Sequence, residues 1–361
     1  MKVLAIVPYH LDFCAGQRFR IELWAKELSK RGIQVEYLPF TNQRLTDVLY
    51  QPKRNLKKAS LMMAAFFKQL GRVFQTDKPD LIFIYREAAL IGPAIIEKIV
   101  RDWRVPIVYD IDEPLFVPFA SPVNSKFKKL RFASKIDKLF EMSDSVFAVN
   151  RAIAKYAENF NKNVHVVPMT VDVNRYQPND TGANGKKPLI AWVGTWSNQP
   201  NIEVAIPAMR ELAKTDDFVF RIIADQPMSF QGVEIDFVSW SYLIEVPKLQ
   251  EAQIGVVPVG KSPWGEWKFF FKTIQFMSLG LPVVASAIGS NLEIIKDGEN
   301  GFLASDEKQW HNKLKLLLAD SDLRRKIGEN ARKTVLEKFD IQKQYDFLEF
   351  HFCNLINLHQ N

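Results

Sequence analysis

Only two cysteines occur in 361 residues, Cys14 and Cys353, near opposite ends and without metal-ligand spacing. That scarcity points to a reducing compartment rather than a disulfide-stabilised fold. The five histidines, His10, His165, His311, His351 and His359, do not cluster, which argues against a histidine metal site. No apolar run approaches the ~18 residues that a membrane span needs. The amino terminus, Met1 to His10, is apolar but is broken at Pro8 and followed by Asp12, so it reads as a first strand and not as a signal peptide. A cytoplasmic location is therefore expected. Disorder is excluded by a hydrophobic content of 47% against 25% charged residues.

What is present suits two domains, because 361 residues exceed what one ordinary core organises. Residues 1–170 hold 27 Lys and Arg against 17 Asp and Glu, leaving 21 against 24 for the remainder, so the basicity belongs to the first half. It concentrates in Lys53, Arg54, Lys57 and Lys58, and in Lys126, Lys128, Lys129, Arg131, Lys135 and Lys138, each set lying among bulky apolar residues. Peripheral docking on an anionic membrane is one expectation from this pattern. Nucleic acid is not an expected partner, because no aromatic stacking platform accompanies the cations.

Short apolar runs alternate with helix-like segments, the signature of parallel α/β construction. Strands are expected at 3–7, 33–38, 81–85, 106–110, 145–149 and 164–167, and again at 189–193, 219–224, 233–238, 254–257 and 282–286. The polar, turn-rich stretch from Gln177 to Pro188 separates the two sets. The expected organisation is a first domain over 1–170, a linker over 171–188, a second domain over 189–340 and a terminal helical segment over 341–361. Both domains are expected to be doubly wound, Rossmann-like parallel sheets facing a central crevice, with ligands outside the strand carboxyl ends.

The residues after those strands carry charge and turns. They include Gly16, Arg18 and Arg20 after the first strand, then Arg86, then Asp110 and Asp112, then Asn150; in the second half they include Gly194 and Thr195, and the loop to Ser290-Asn-Leu-Glu293, which reads as a capping box. A helix from Phe270 places Phe270, Ile274 and Met277 on one face and Lys268, Lys272 and Gln275 on the other. Both cations then sit at the positive end of the helix dipole, an arrangement a bound anion would repair; a solvated lysine pair is the plain alternative.

The run from Pro263-Trp-Gly-Glu-Trp-Lys268 through Lys272-Thr-Ile-Gln-Phe-Met-Ser-Leu-Gly-Leu-Pro282 to Gly289-Ser-Asn-Leu-Glu293 resembles the donor-binding region of family 4, or group 1, glycosyltransferases of the GT-B fold. Arg18-Phe-Arg20, Tyr85-Arg-Glu87, Tyr109-Asp-Ile-Asp112, Trp192-Val-Gly-Thr195 and Trp240-Ser-Tyr242 with Glu245 are similar to that family's landmarks across nearly the whole chain. The resemblance implies a retaining transferase. Its second domain would hold a nucleotide-diphosphate sugar, its first a saccharide or lipid-linked saccharide, and its last helix would return to the first domain. Cell-envelope polysaccharide is the implied product class, and the cytoplasmic face of the plasma membrane the implied place of work.

Two departures shape the site. Where most members carry two glutamates eight positions apart, this chain has Trp267 and Gln275, and the usual Arg and Lys after Gly194 are absent. The pattern Lys-x-x-x-Lys-x-x-Gln resembles a subset of the family. In it Lys268 and Lys272 would hold the leaving diphosphate and Gln275 the ribose, with Gly16, Gly194, Thr195, Trp240, Glu266, Gly289, Ser290, Asn291 and Glu293 on the donor side. Asp110 and Asp112 would orient the acceptor or steady the cationic sugar, and Arg18, Arg20, Arg86 and Asn150 would lie on the acceptor or phosphate side. No cofactor beyond the donor substrate and no metal is expected. Asp110-Ile-Asp112 also admits a metal reading, but the pattern is short and Pro114 departs from the phosphatase type. The lost glutamates leave a further alternative, a degenerate protein that binds sugar nucleotide or serves as a partner subunit.

Overall fold

In this computed structural model the described residues are 1–49, 51, 53–117, 132, 134–179, 187–262 and 264–360. The chain divides into two compact units, Met1–Met169 with Lys343–Asn361, and Thr170–Gln342.

The first unit is built on a six-stranded parallel sheet ordered β2-β1-β3-β4-β5-β6. Its strands are β1 (Lys2–Val7), β2 (Gln34–Pro39), β3 (Leu81–Tyr85), β4 (Ile107–Ile111), β5 (Ser145–Ala148) and β6 (Val164–Val166). β3, β4 and β5 are buried along their whole length, and their mostly apolar runs, broken by Asp110 in β4 and opened by Ser145 in β5, reflect helices packed on both faces. The helix Ile341–Gln360 completes this unit: Phe352 meets Phe83 and Phe147 at ring-centroid distances of 6.2 and 6.3 Å, and His351 Nε2 lies 2.9 Å from Ser145 Oγ.

The second unit repeats the plan with order β12-β11-β10-β7-β8-β9. Here the strands are β7 (Leu189–Val193), β8 (Val219–Ala224), β9 (Ile235–Ser239), β10 (Ile254–Val257), β11 (Val283–Ser286) and β12 (Phe302–Ala304). Trp192, Phe220, Ile222, Val256 and Trp310 lie together in its core. The helices Phe271–Ser278 and Ser321–Lys338 approach closely because Gly328 has no side chain; a Cβ there would stand 2.0 Å from the carbonyl oxygen of Gly280.

Part of the stretch read as linker belongs to this second unit. Val171 bridges Asp340, Tyr176 is buried, and Arg332 donates to the carbonyls of Val173 and Tyr176 at 3.0 and 2.7 Å. Its polar residues 180–186 lie outside the described residues.

Candidate active site

In each sheet two strands mark where the connections reverse direction: β1 and β3 in the first, β7 and β10 in the second. The crevice outside the carboxyl ends at such a point is where open α/β sheets take ligands.

In the second unit that point is occupied by Lys272. β7 delivers Trp192 and Gly194, and the helix after β10 delivers the lysine, whose Nζ sits 4.3 Å from the Trp192 ring centroid. A Cβ on Gly194 would come within 2.5 Å of both Lys272 Nζ and the Trp192 ring, so the missing side chain is what admits the ammonium. Trp192 supplies the cation–π face, a contribution the sequence reading did not anticipate. Loss of water around the ammonium, and then the charge of Lys268, push Lys272 down to about 7. Such a lysine gains its full charge when an anion arrives.

Lys268 does not share the helix. The helix begins at Phe271, and Lys268 sits before it on extended backbone (φ −79°, ψ 141°) after the short turn Gly265–Trp267, its side chain exposed. The spacing 268, 272, 275 therefore does not define a face; Phe269 and Phe270 are buried and draw the chain out of helical register. Nor is the helix one-sided, since Thr273 to Ser278 are all buried.

Gln275 is turned inward. Its amide donates to Glu245 Oε1 at 2.8 Å and to the Tyr176 hydroxyl at 3.1 Å; Tyr176 donates to the same carboxylate oxygen at 2.6 Å, and Trp240 Nε1 to the other. The group ties the helix to the Tyr176 segment and aims Trp240, which remains 43% exposed. The ribose role expected for Gln275 is not what its amide nitrogen does here.

The Gly289 loop supports this site from behind. Gly289 adopts φ +55°, and a Cβ would stand 2.4 Å from the carbonyl oxygen of Gly265. Ser290 was expected to cap the following helix; its hydroxyl instead accepts from Phe270 N at 2.8 Å, and its N–H donates to the Lys268 carbonyl at 3.2 Å. A four-residue helix, Asn291–Ile294, needs little capping, whereas the buried Phe270 N–H needs an acceptor. Asn291, fully buried, accepts from Thr273 Oγ1 at 2.6 Å and donates to the Ser286 carbonyl at 3.0 Å. Ser290 and Asn291 thus set the backbone around Lys268 and Lys272. Glu266, Glu293 and Thr195 are exposed; Thr195 Oγ1 accepts from Asn198 Nδ2 at 2.8 Å.

In the first unit four of the five charged residues expected at the site form two guanidinium–carboxylate pairs. Arg20 is wholly buried: Nε donates to Asp110 Oδ2 at 2.7 Å, Nη2 to Asp110 Oδ1, and Nη1 to the Val167 carbonyl at 2.7 Å, while Trp24 lies under the guanidinium. Arg20 and Asp110 therefore serve the fold and not a ligand. Arg86 grips Asp112 through Nε and Nη2 at 2.5 and 2.8 Å, and the Tyr85 hydroxyl adds a third donor at 2.8 Å. Burial opposes ionisation of Asp112, but the Arg86 charge outweighs it and holds the carboxyl below its usual range. Arg86 takes φ +59°, a strained setting for a side chain of this size. Gly16 completes the arrangement, because a Cβ would fall 2.3 Å from Asp112 Oδ2 and 2.5 Å from the Tyr85 hydroxyl. Gly16 is thus a packing requirement of the Asp112 cluster. Arg18 is exposed, and Asn150 is buried as the cap of helix Arg151–Ala157, accepting from Ile153 N at 2.9 Å.

Comparison with known proteins agrees with this architecture unit by unit. Residues 16–175 match the family described as Glycosyltransferase Family 4, and residues 187–320 match Glycosyl transferases group 1. A sulfoquinovosyl transferase, SQD2 of Arabidopsis thaliana, is 24% identical over 93% of this chain and 70% of its own length. Among solved structures, sucrose-phosphate synthase from Thermosynechococcus elongatus is similar with TM-score 0.74 at 16% identity, covering 99% of this chain and 100% of that one. Anabaena HepE in complex with UDP-glucose gives TM-score 0.69 at 16% identity, covering 98% of this chain and 100% of its own. With two Rossmann-like parallel-sheet domains of the GT-B type, the chain belongs to the group 1, family 4 glycosyltransferases.

Proposed function

We propose that this protein transfers a sugar from a nucleoside-diphosphate sugar, held by the second unit, to a saccharide or lipid-linked saccharide held by the first, with retention and without a divalent metal. The observation that carries this reading is Lys272, set in the hollow of Gly194 at the strand ends with its charge suppressed. Breaking the sugar–phosphate bond leaves negative charge on the departing oxygen. A fixed ammonium beside that oxygen stabilises what develops, and such a donor is worth ~3 to 4 kcal/mol in a transition state. Lys268, exposed on the neighbouring turn, supplies a second cation.

Retention follows if the acceptor attacks on the face the diphosphate leaves, with the hydroxyl proton passing to the departing phosphate oxygen. The carboxylates support this reading, since Asp110 and Asp112 are each gripped by a guanidinium and neither is placed as a free nucleophile. The same pairs satisfy the charges that a cation on Asp-x-Asp would otherwise satisfy. Assay with excess chelator tests the metal-independent reading: full activity is expected, and loss restored by Mn²⁺ or Mg²⁺ would overturn it.

The first unit also carries a surface suited to an envelope acceptor. Helix Asn55–Gln75 contains no acidic residue and exposes Leu56, Met63, Phe67 and Phe74 along one stripe, with Lys53, Arg54, Lys57 and Lys68 exposed beside it. We assign this stripe to peripheral docking on an anionic membrane. Lys58 has no part in it, being buried, and Lys135 is buried against Glu87 at 2.8 Å. Lys126, Lys128, Lys129 and Arg131 lie outside the described residues.

A further inference from the structure

A second row of helix Asn55–Gln75, on the side of the helix away from the exposed stripe, lines a pocket of about 460 Å³ within the first unit. Ala65, Lys68 and Arg72 form one wall, and Phe40 and Thr41, just past β2, form the other; His10, past β1, also lines it. The volume lies in the range of small-molecule sites. No lining residue is acidic.

Three groups on this lining are underused by the fold. Lys68 is exposed and forms no ion pair or hydrogen bond among the described residues. Arg72 spends Nη1 on the Pro39 carbonyl at 2.8 Å and on Gln69 Oε1 at 3.3 Å, which fixes the guanidinium while leaving its other nitrogens unengaged among the described residues. His10 Nδ1 is shielded from solvent with no hydrogen-bond partner among the described residues, although the His10 N–H is anchored to Thr41 Oγ1 at 3.2 Å. A buried polar atom left unmatched is costly, so a partner from outside the protein fits the pocket's chemistry.

We infer that this pocket is an acceptor subsite that takes a phosphate group, with Lys68 and Arg72 as its cations and His10 Nδ1 as a further hydrogen-bonding group. The inference rests on the reading of the first unit as the acceptor-holding one. A phosphate carries up to two charges and several acceptor oxygens, matching an ammonium and a guanidinium on one lining that bears no carboxylate; Glu36, whose charge acts on Arg72, lies outside that lining. The phosphate belongs either to a soluble sugar phosphate or to a lipid-linked one.

Amide hydrogen exchange on the full chain, read by mass spectrometry, tests this locally. Glucose 6-phosphate, octyl phosphate below its micelle concentration and glucose are the probes. Slower exchange in peptides covering residues 39–43 and 65–72 is expected with at least one phosphate probe and not with glucose; whichever probe acts identifies the source. Lys68→Gln, which removes no contact of the fold, and Lys68→Gln with Arg72→Gln should each raise the concentration for half-protection, the pair by roughly tenfold or more. Lys272→Ala should leave that concentration unchanged. No protection by either phosphate, equal protection by glucose, unaltered midpoints in both variants, or loss of protection in Lys272→Ala would each overturn the assignment. Failure of the donor reading shows separately, as a Lys272→Ala enzyme with full turnover.

Discussion

Lys272 has to be charged to hold a leaving diphosphate, yet in the free protein its ammonium is pushed down to about 7. The protonated form is the useful one, so kcat/KM, which reports the free enzyme, should be flat below pH ~7 and fall about tenfold per unit above it. Bound diphosphate restores the charge, so kcat should hold to higher pH. A pH profile of both constants reads this split, and kcat/KM constant up to pH 9 would remove Lys272 from donor capture. Arg20 illustrates the opposite fate of a charged residue. Its guanidinium and Asp110 are both fully buried and satisfy one another. Arg20→Ala should lower unfolding stability by ~3 to 5 kcal/mol by stranding the carboxylate, whereas Arg20→Met with Asp110→Leu should recover most of that loss. Denaturant unfolding checks both, and a stable Arg20→Ala protein with poor acceptor binding would return Arg20 to the site. Sequence placed all four of Arg20, Arg86, Asp110 and Asp112 near strand ends, where they stand. It did not show that they pair with one another, because residues 90 and 26 positions apart meet only through sheet order.

Elements were legible where one physical rule acted alone. Leu81–Tyr85, Leu189–Val193, Val219–Ala224 and Ile254–Val257 match the expected strands residue for residue, since a parallel strand buried on both faces is a nearly continuous apolar run, broken here only by Arg221. β12 was not anticipated: Phe302–Ala304 is three residues between Gly301 and Ser305, too short for a pattern, and owes its form to pairing with β11. The expected helix face of Lys268, Lys272 and Gln275 failed because tertiary burial of Phe269 and Phe270 set where the helix starts. Helix Asn55–Gln75 carries a prediction of its own. Its exposed apolar stripe and flanking cations should bind vesicles containing anionic lipid at low salt, each cation contributing ~1 kcal/mol. Co-sedimentation should fall in Lys53→Ser/Arg54→Ser/Lys57→Ser chiefly at low salt, and in Met63→Ser/Phe67→Ser at all salt concentrations. Equal binding by wild type and both variants would leave the helix without a membrane role.

At the scale of the whole molecule, one plan is used twice: a parallel sheet, a reversal of strand order, and a glycine at the reversal that lets a charged group approach the backbone. Gly16 does this for the Asp112–Arg86 pair and Gly194 for Lys272. The doubling was legible as two sets of strand-like runs, because hydrophobic periodicity survives without internal sequence identity. The division of labour was legible only in part, since Arg20 and Arg86, beside the strand ends of the first unit, are spent on Asp110 and Asp112, while Lys272 has no carboxylate partner among the described residues. Under the proposed function, the second unit keeps Lys272, without a carboxylate partner among the described residues, for the donor diphosphate. Titration calorimetry of wild type and Lys272→Ala against UDP, GDP and ADP, with UDP-glucose as the uncleaved form, tests it most directly. One nucleotide is expected to bind the wild type, Lys272→Ala to weaken it by roughly 10- to 100-fold, and UDP-glucose, if it binds, to take up protons at pH 8. Equal affinity of the two proteins for the preferred nucleotide, or no nucleotide bound by the wild type, would contradict it.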